Sequence, residues 1–136
     1  MKNIHFLSWN VRGANSSVSR RKIRDFIIFH KVNFLCLQET KTSKWSPIMK
    51  NSMWDNNSHG WLEVDSKGLS GGILCSWDSY NYDLMKVVSK DAWIWCKMRS
   101  KIEDIKFHIV NIQPSRIASK SGAMGSSKQH PDQCFR

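Results

Sequence analysis

The chain has 136 residues, a formal charge of +10 and a sequence pI near 9.7. That length fits one domain or a piece of one, and 40% apolar residues with seven Trp and six Phe suffice for a core. No apolar run is long enough for a membrane-spanning helix or a secretion signal, so a nuclear or cytoplasmic setting is expected; the positive charge suggests a polyanionic partner, nucleic acid or an anionic membrane surface, of which nucleic acid and no membrane is the expectation.

Residues 4–11 are apolar-rich and read as a strand. A loop with capping residues follows over 13–19. Residues 20–30 then place Ile23, Phe26, Ile27 and His30 at helical spacing, so one face of a helix is apolar. Arg20, Arg21, Lys22 and Arg24 crowd its expected start. Cations there oppose the helix macrodipole at about 0.3–1 kcal/mol each, which suggests attraction to phosphate as a counterweight. Residues 33–38 form an apolar second strand, expected to be central and covered on both faces. Ser46-Pro47 reads as an N-cap followed by proline in the first helical position, opening a short helix to about Met53.

Five further strands are predicted over 61–65, 72–77, 82–89, 92–99 and 105–113, with short links such as Lys90-Asp91 reading as hairpins. In the last, Phe107, Ile109 and Asn111 alternate with His108, Val110 and Ile112, so the two sets occupy opposite faces. After Pro114 the pattern stops. Residues 115–136 are rich in Ser, Lys, Gly and Gln and read as a disordered tail. The domain is therefore expected over 1–114. Cys36, Cys75, Cys96 and Cys134 are scattered, which argues against a zinc knuckle and for reduced thiols.

Glu39 stands out. It closes the run Phe34-Leu35-Cys36-Leu37-Gln38-Glu39-Thr40-Lys41, and a carboxylate ending an apolar strand needs a partner or a metal. Asn10 ends the earlier strand in Ser8-Trp9-Asn10-Val11-Arg12-Gly13. Two polar strand ends joined by one helix are how an open α/β sheet builds a site at its carboxyl edge.

SWNVRG, LCLQETK and Gly68-Leu69-Ser70-Gly71-Gly72-Ile73-Leu74 resemble, in order, the first three motifs of the endonuclease/exonuclease/phosphatase family. The variant is similar to the one at the amino terminus of plant LINE-type retrotransposon polyproteins, upstream of the reverse transcriptase. The resemblance spans about residues 1–114 and matches the first half of that family's domain. It implies an α/β fold, a partial two-sheet α/β sandwich with its first half only, which would leave one sheet face bare. It implies a truncated magnesium-dependent DNA endonuclease, a hydrolase of phosphodiester bonds. Glu39 would be the metal ligand, and Asn10 and Asn111 would join it as catalytic residues. Arg12, Arg20, Arg21, Lys22, Arg24 and Lys41 would contact nucleic acid. The glycines of residues 68–72 permit tight backbone geometry, with a hairpin turn the simpler reading and close approach of a phosphate the other.

The departures bear on activity. The family's Asn-x-Tyr strand end is here Asn111-Ile112-Gln113, and glutamine supplies no phenol. The later Gly-Asp-x-Asn and Asp-His motifs of the family are absent from the sequence. His130-Pro131-Asp132 has the right residue types in the wrong order. His5, His30 and His108 fit packing or surface positions. Weak magnesium binding and no cleavage by this chain alone are therefore expected. A non-catalytic basic nucleic-acid-binding protein and an inert remnant are the alternatives.

Overall fold

A computed structural model describes residues 3–56 and 58–114. The expected tail, with His130 and Asp132, lies outside the described residues.

Strand β1 (Phe6–Asn10) runs parallel to β2 (Phe34–Gln38), in the register Phe6↔Phe34 through Asn10↔Gln38. A parallel pair needs a crossover, and helix α1 (Ser17–His30) supplies it. Ser16 caps that helix, its hydroxyl oxygen accepting from the Ser19 N–H at 3.1 Å. Lys31, left-handed at φ 53°, closes the other end by donating its N–H to the Ile27 and Ile28 carbonyls. The helix thus starts three residues before the expected Arg20. The basic cluster sits beyond the first turn, where the dipole effect has faded, so the dipole argument for phosphate attraction lapses.

Strand β2 is central as expected, with all five residues buried. On its other side lies β4 (Ile73–Asp78), antiparallel, followed by β3 (His59–Val64), giving the order β1-β2-β4-β3. Between β2 and β3, Ser46 caps the short helix α2 (Pro47–Asn51) with Pro47 in its first turn. Strands β5 (Tyr82–Lys90), β6 (Trp93–Ser100) and β7 (Lys106–Ile112) form a second, antiparallel sheet in chain order.

The two sheets pack face to face. Phe34, Cys36, Ile73, Cys75 and Trp77 of the first meet Ile94, Cys96, Met98, Phe107 and Ile109 of the second in one buried cluster. The opposite face of the first sheet, with Leu35, Leu37 and Leu74, is covered by Ile23 and Ile27 of α1 and by Trp45, Met53 and Trp54 around α2. Burial at about 25 cal/mol per Å² of apolar area drives both contacts. The first sheet is thus covered on both faces; the sheet face that no described helix covers is the outer one of β5, β6 and β7. β5, β6 and β7 supply the covering layer from within this chain.

Cys75 and Cys96 are free and buried in the inter-sheet core. Burial pushes both thiols up, Cys96 to about 12, so they pack as neutral groups and are not nucleophiles. Among the described residues no helix is long and apolar enough to cross a membrane.

Candidate active site at the carboxyl edge of the first sheet

β1 and β2 end side by side. Asn10 Nδ2 donates to Glu39 Oε2 at 2.9 Å. A carboxylate can only accept here, so the contact fixes which way the Asn10 amide points. Asn10 Oδ1 then faces away from Glu39, is buried, and has no hydrogen-bond partner among the described residues.

The backbone beyond the strands is bent to hold this corner. Arg12, Glu39 and Lys41 all have positive φ, at 52°, 52° and 55°. Left-handed backbone is uncommon for non-glycine residues and persists where the surroundings enforce it. Those surroundings are visible. The Glu39 N–H donates to Gln113 Oε1 at 2.8 Å, and the Glu39 carbonyl accepts from the Gly13 N–H at 2.8 Å. The Ala14 N–H donates to the Thr40 carbonyl at 2.8 Å, and the Thr40 and Lys41 N–H groups reach the Gly72 and Gly71 carbonyls at 3.0 and 2.8 Å.

The glycine segment therefore serves as a turn and a strand extension. Lys67 and Ser70 exchange backbone hydrogen bonds across Gly68 and Leu69. Gly72, at φ 95°, lies so close to Thr40 that a Cβ there would overlap the Thr40 hydroxyl. This is the hairpin reading of the segment.

Beneath the corner, Gln38 and Asn111 join the two sheets. Gln38 Nε2 donates to Asn111 Oδ1 at 2.8 Å and to Ser8 Oγ at 3.2 Å. Asn111 Nδ2 donates to the Leu74 carbonyl at 2.9 Å and the Leu37 carbonyl at 3.3 Å. Both side chains are fully buried. Asn111, expected as a catalytic residue, thus has its amide turned into the core, where it meets Gln38 and the Leu37 and Leu74 carbonyls. Sequence reasoning missed Gln38. Its signal was present, since an amide ending an otherwise apolar buried strand requires a polar partner.

The expected nucleic-acid contacts divide. Arg12, Arg21 and Lys22 are exposed, and Arg24 and Lys41 are half-buried. Arg20 is corrected: it is buried, and its guanidinium donates to Ala14 O at 2.9 Å, Asn15 O at 2.7 Å and Ser52 Oγ at 3.0 Å. It ties α1 to the loop before it and to the end of α2, so two of its three guanidinium nitrogens are committed within the fold.

None of the described histidines reaches the corner. His5 precedes β1 and is held by the His30 and Lys31 carbonyls, at the opposite end of the parallel pair. His59 pairs in register with Asp78, also at that far end. His108 stacks on Trp95 on the outer face of the second sheet, with ring centroids 5.4 Å apart. Among the described residues no group of three or more His, Cys, Asp or Glu side chains could hold a metal ion.

No family model and no curated protein matches the sequence. Solved structures do match. An AP endonuclease from Leishmania major is similar with a TM-score of 0.60 at 16% identity, over 90% of this chain and 45% of that one. D. rerio TDP2 complexed with single strand DNA product is similar with a TM-score of 0.53 at 12% identity, over 94% of this chain and 56% of that one. A functionally unknown conserved protein from Enterococcus faecalis V583 is similar with a TM-score of 0.54 at 13% identity, over 78% and 51%. The fold is of the endonuclease/exonuclease/phosphatase type. At these identities the likeness is one of fold, and this chain spans about half the length of those it matches.

Proposed function

We propose that this chain is the amino-terminal portion of a magnesium-dependent DNA phosphodiesterase of retrotransposon type, and that it binds DNA without completing the cleavage reaction by itself. The observation that carries the reading is the corner at the ends of β1 and β2, where Asn10 holds the Glu39 carboxylate at 2.9 Å on a left-handed backbone. Open α/β sheets bind ligands at this edge, and the likeness to an AP endonuclease and to TDP2 in a DNA-product complex supports the substrate class.

The donor set fits magnesium loosely. Glu39 offers hard carboxylate oxygens, whereas Asn10 turns its N–H to them and its buried Oδ1 away. Magnesium takes oxygen ligands, keeps several waters and tolerates one or two protein carboxylates beside substrate phosphate. One carboxylate gives weak affinity. Bound at Glu39, with Asn10 holding the carboxylate in place, the ion would neutralise phosphate charge and polarise the scissile ester.

The chain's own residues do the rest of what is possible here. The Asn10 N–H fixes the carboxylate, and Gln113 fixes the Glu39 backbone. Exposed Arg12, Arg21 and Lys22 attract the phosphate backbone. What is missing is a base. Each described histidine lies at the far end of the sheet, on α1 or on the outer face of the second sheet, so no imidazole among them can take a proton from water at Glu39. Lack of a general base costs about 10²–10⁴ in rate.

Titration with Mn(II), read by electron paramagnetic resonance, tests the metal corner. Weak saturable binding that disappears in Glu39→Ala is expected. Binding unchanged by that substitution would favour the second reading, a nucleic-acid-binding protein with no metal function, for which the exposed cations are sufficient. Absence of DNA binding at low salt would instead identify an inert remnant.

A further inference from the structure

The second sheet has an outer face that the Asn10–Glu39 reading does not use. On β6 and β7 burial alternates strictly up to Val110, with Ile94, Cys96, Met98, Phe107 and Ile109 turned inward. Residues paired across an antiparallel ladder share a face, so the register assigns the outward rows. One row is Lys86, Lys97 and His108; the next is Val88, Trp95 and Val110; the next is Lys90, Trp93 and Ile112. Two tryptophans therefore stand two residues apart on one strand, about 7 Å from each other along it. Lysines border them on the β5 side and at the Lys97 end of the strand, and the His108 ring, stacked on Trp95 at an interplanar angle of 26°, braces one of them. Both described helices lie on the other sheet.

The chemistry of this face selects its partner. Val88 and Ile112 are 43% and 38% exposed beside the half-exposed indoles, so the face is too apolar to be a merely solvated surface. It is also too cationic for an apolar partner, since burying Lys86, Lys90 and Lys97 without counter-charges costs several kcal/mol in each case. Among the described residues of these rows and the adjoining one, the carboxylate is Asp83, already paired with Arg99 at 3.0 Å and Lys101 at 3.5 Å. The face therefore has positive charge to spare. Flat rings interleaved with cations match a strand of unpaired bases, whose faces stack while its phosphates meet ammonium groups. Duplex DNA hides its base faces within its own stack and would leave the indoles unused.

We propose that the outer face of β5, β6 and β7 binds single-stranded nucleic acid, with Trp93 and Trp95 stacking on bases and Lys86, Lys90 and Lys97 pairing with phosphates. The surface is separate from the Asn10–Glu39 corner and its binding needs no metal. It adjoins that corner, because Gln113, which follows the Trp93–Ile112 row, reaches the Glu39 backbone.

The test is fluorescence anisotropy of the full chain with labelled oligodeoxythymidine and with an abasic strand of equal length, in chelator. The abasic strand keeps the phosphates and removes the bases. Oligodeoxythymidine should bind more tightly, and Trp93→Ala or Trp95→Ala should each lower its affinity about 5- to 100-fold while leaving abasic binding nearly unchanged. Lys86→Gln and Lys97→Gln should each reduce the slope of log affinity against log salt by about 0.7. Indole fluorescence should fall on binding in the unmodified chain, a readout that depends on no variant's folding. Equal affinity for abasic and thymidine strands overturns the proposal, as does affinity that follows anionic lipid vesicles or polyglutamate as readily as nucleic acid. Loss of Mn(II) binding at Glu39 would sink the metal-corner reading and leave this one standing.

Discussion

Asn111 separates a role in stability from a role in chemistry. Its side chain is fully buried, donates to two carbonyls and accepts from Gln38 at 2.8 Å. Asn111→Ala removes those three hydrogen bonds, each worth about 0.5–1.5 kcal/mol net, and leaves a void between the sheets. The Gln38 amide keeps only Ser8 Oγ at 3.2 Å, and its Oε1 already has no partner among the described residues. The expected loss is about 2–4 kcal/mol, a large share of a typical domain's 5–15 kcal/mol or so. In urea, with a slope of about 1–3 kcal/mol per M, the midpoint should fall by roughly 1–2 M. Gln38→Leu with Asn111→Leu removes both partners at similar volume and should recover much of that loss, because the cost lies in leaving one amide buried without the other. A midpoint moved by less than a few tenths of a molar in Asn111→Ala would refute the reasoning and return Asn111 to the site as a free amide.

Arg20→Ala should cost about 2–3 kcal/mol in urea unfolding, since its charged guanidinium makes three hydrogen bonds, and should leave the salt dependence of DNA binding unchanged; Arg21→Ala and Lys22→Ala should do the reverse, and equal behaviour of the three would contradict the division drawn between them. Gly72→Ala should destabilise by about 1–3 kcal/mol, because an alanine at φ 95° is strained and meets Thr40; a neutral effect on thermal unfolding would mean that the corner can open. Burial, partly opposed by backbone hydrogen bonds at His59 and Asn56, holds His59 below its ordinary value of 6.5. The unfolded chain therefore takes up a proton first as pH falls, so stability should be full above about pH 6.5 and decline below it. His59→Phe should flatten that decline, and an unchanged pH profile in the variant would show that other groups cause it.

Much of this fold was legible. Apolar runs, the helical spacing of α1, the Ser46-Pro47 cap and the alternation in β7 place the seven described strands and two described helices within a few residues. β2 reads as central because its run is apolar, and the structure buries all five of its residues. The juxtaposition of Asn10 and Glu39 follows from chain topology, since two parallel strands joined by one helix end at the same edge. What the sequence hides is set by side-chain reach across the fold. Helical spacing puts Arg20, and not Arg21, on the face of α1 shared with Ile23 and Ile27, but its partners Ala14, Asn15 and Ser52 are brought to it by the fold and no local pattern names them. The second sheet was hidden differently. Its strands were visible, but that they fold back over β2 and β4 rests on long-range pairings such as Asn111 with Gln38, which no local pattern encodes.

The most direct test of the central claim is nicking of supercoiled plasmid by the purified chain in magnesium, with Glu39→Ala in parallel. The corner supplies a carboxylate, an amide and a phosphate-attracting rim, but none of the described histidines lies within reach to activate water. The account predicts no nicking above the Glu39→Ala background. Magnesium-dependent nicking that Glu39→Ala abolishes, and that survives removal of residues 115–136, would contradict it.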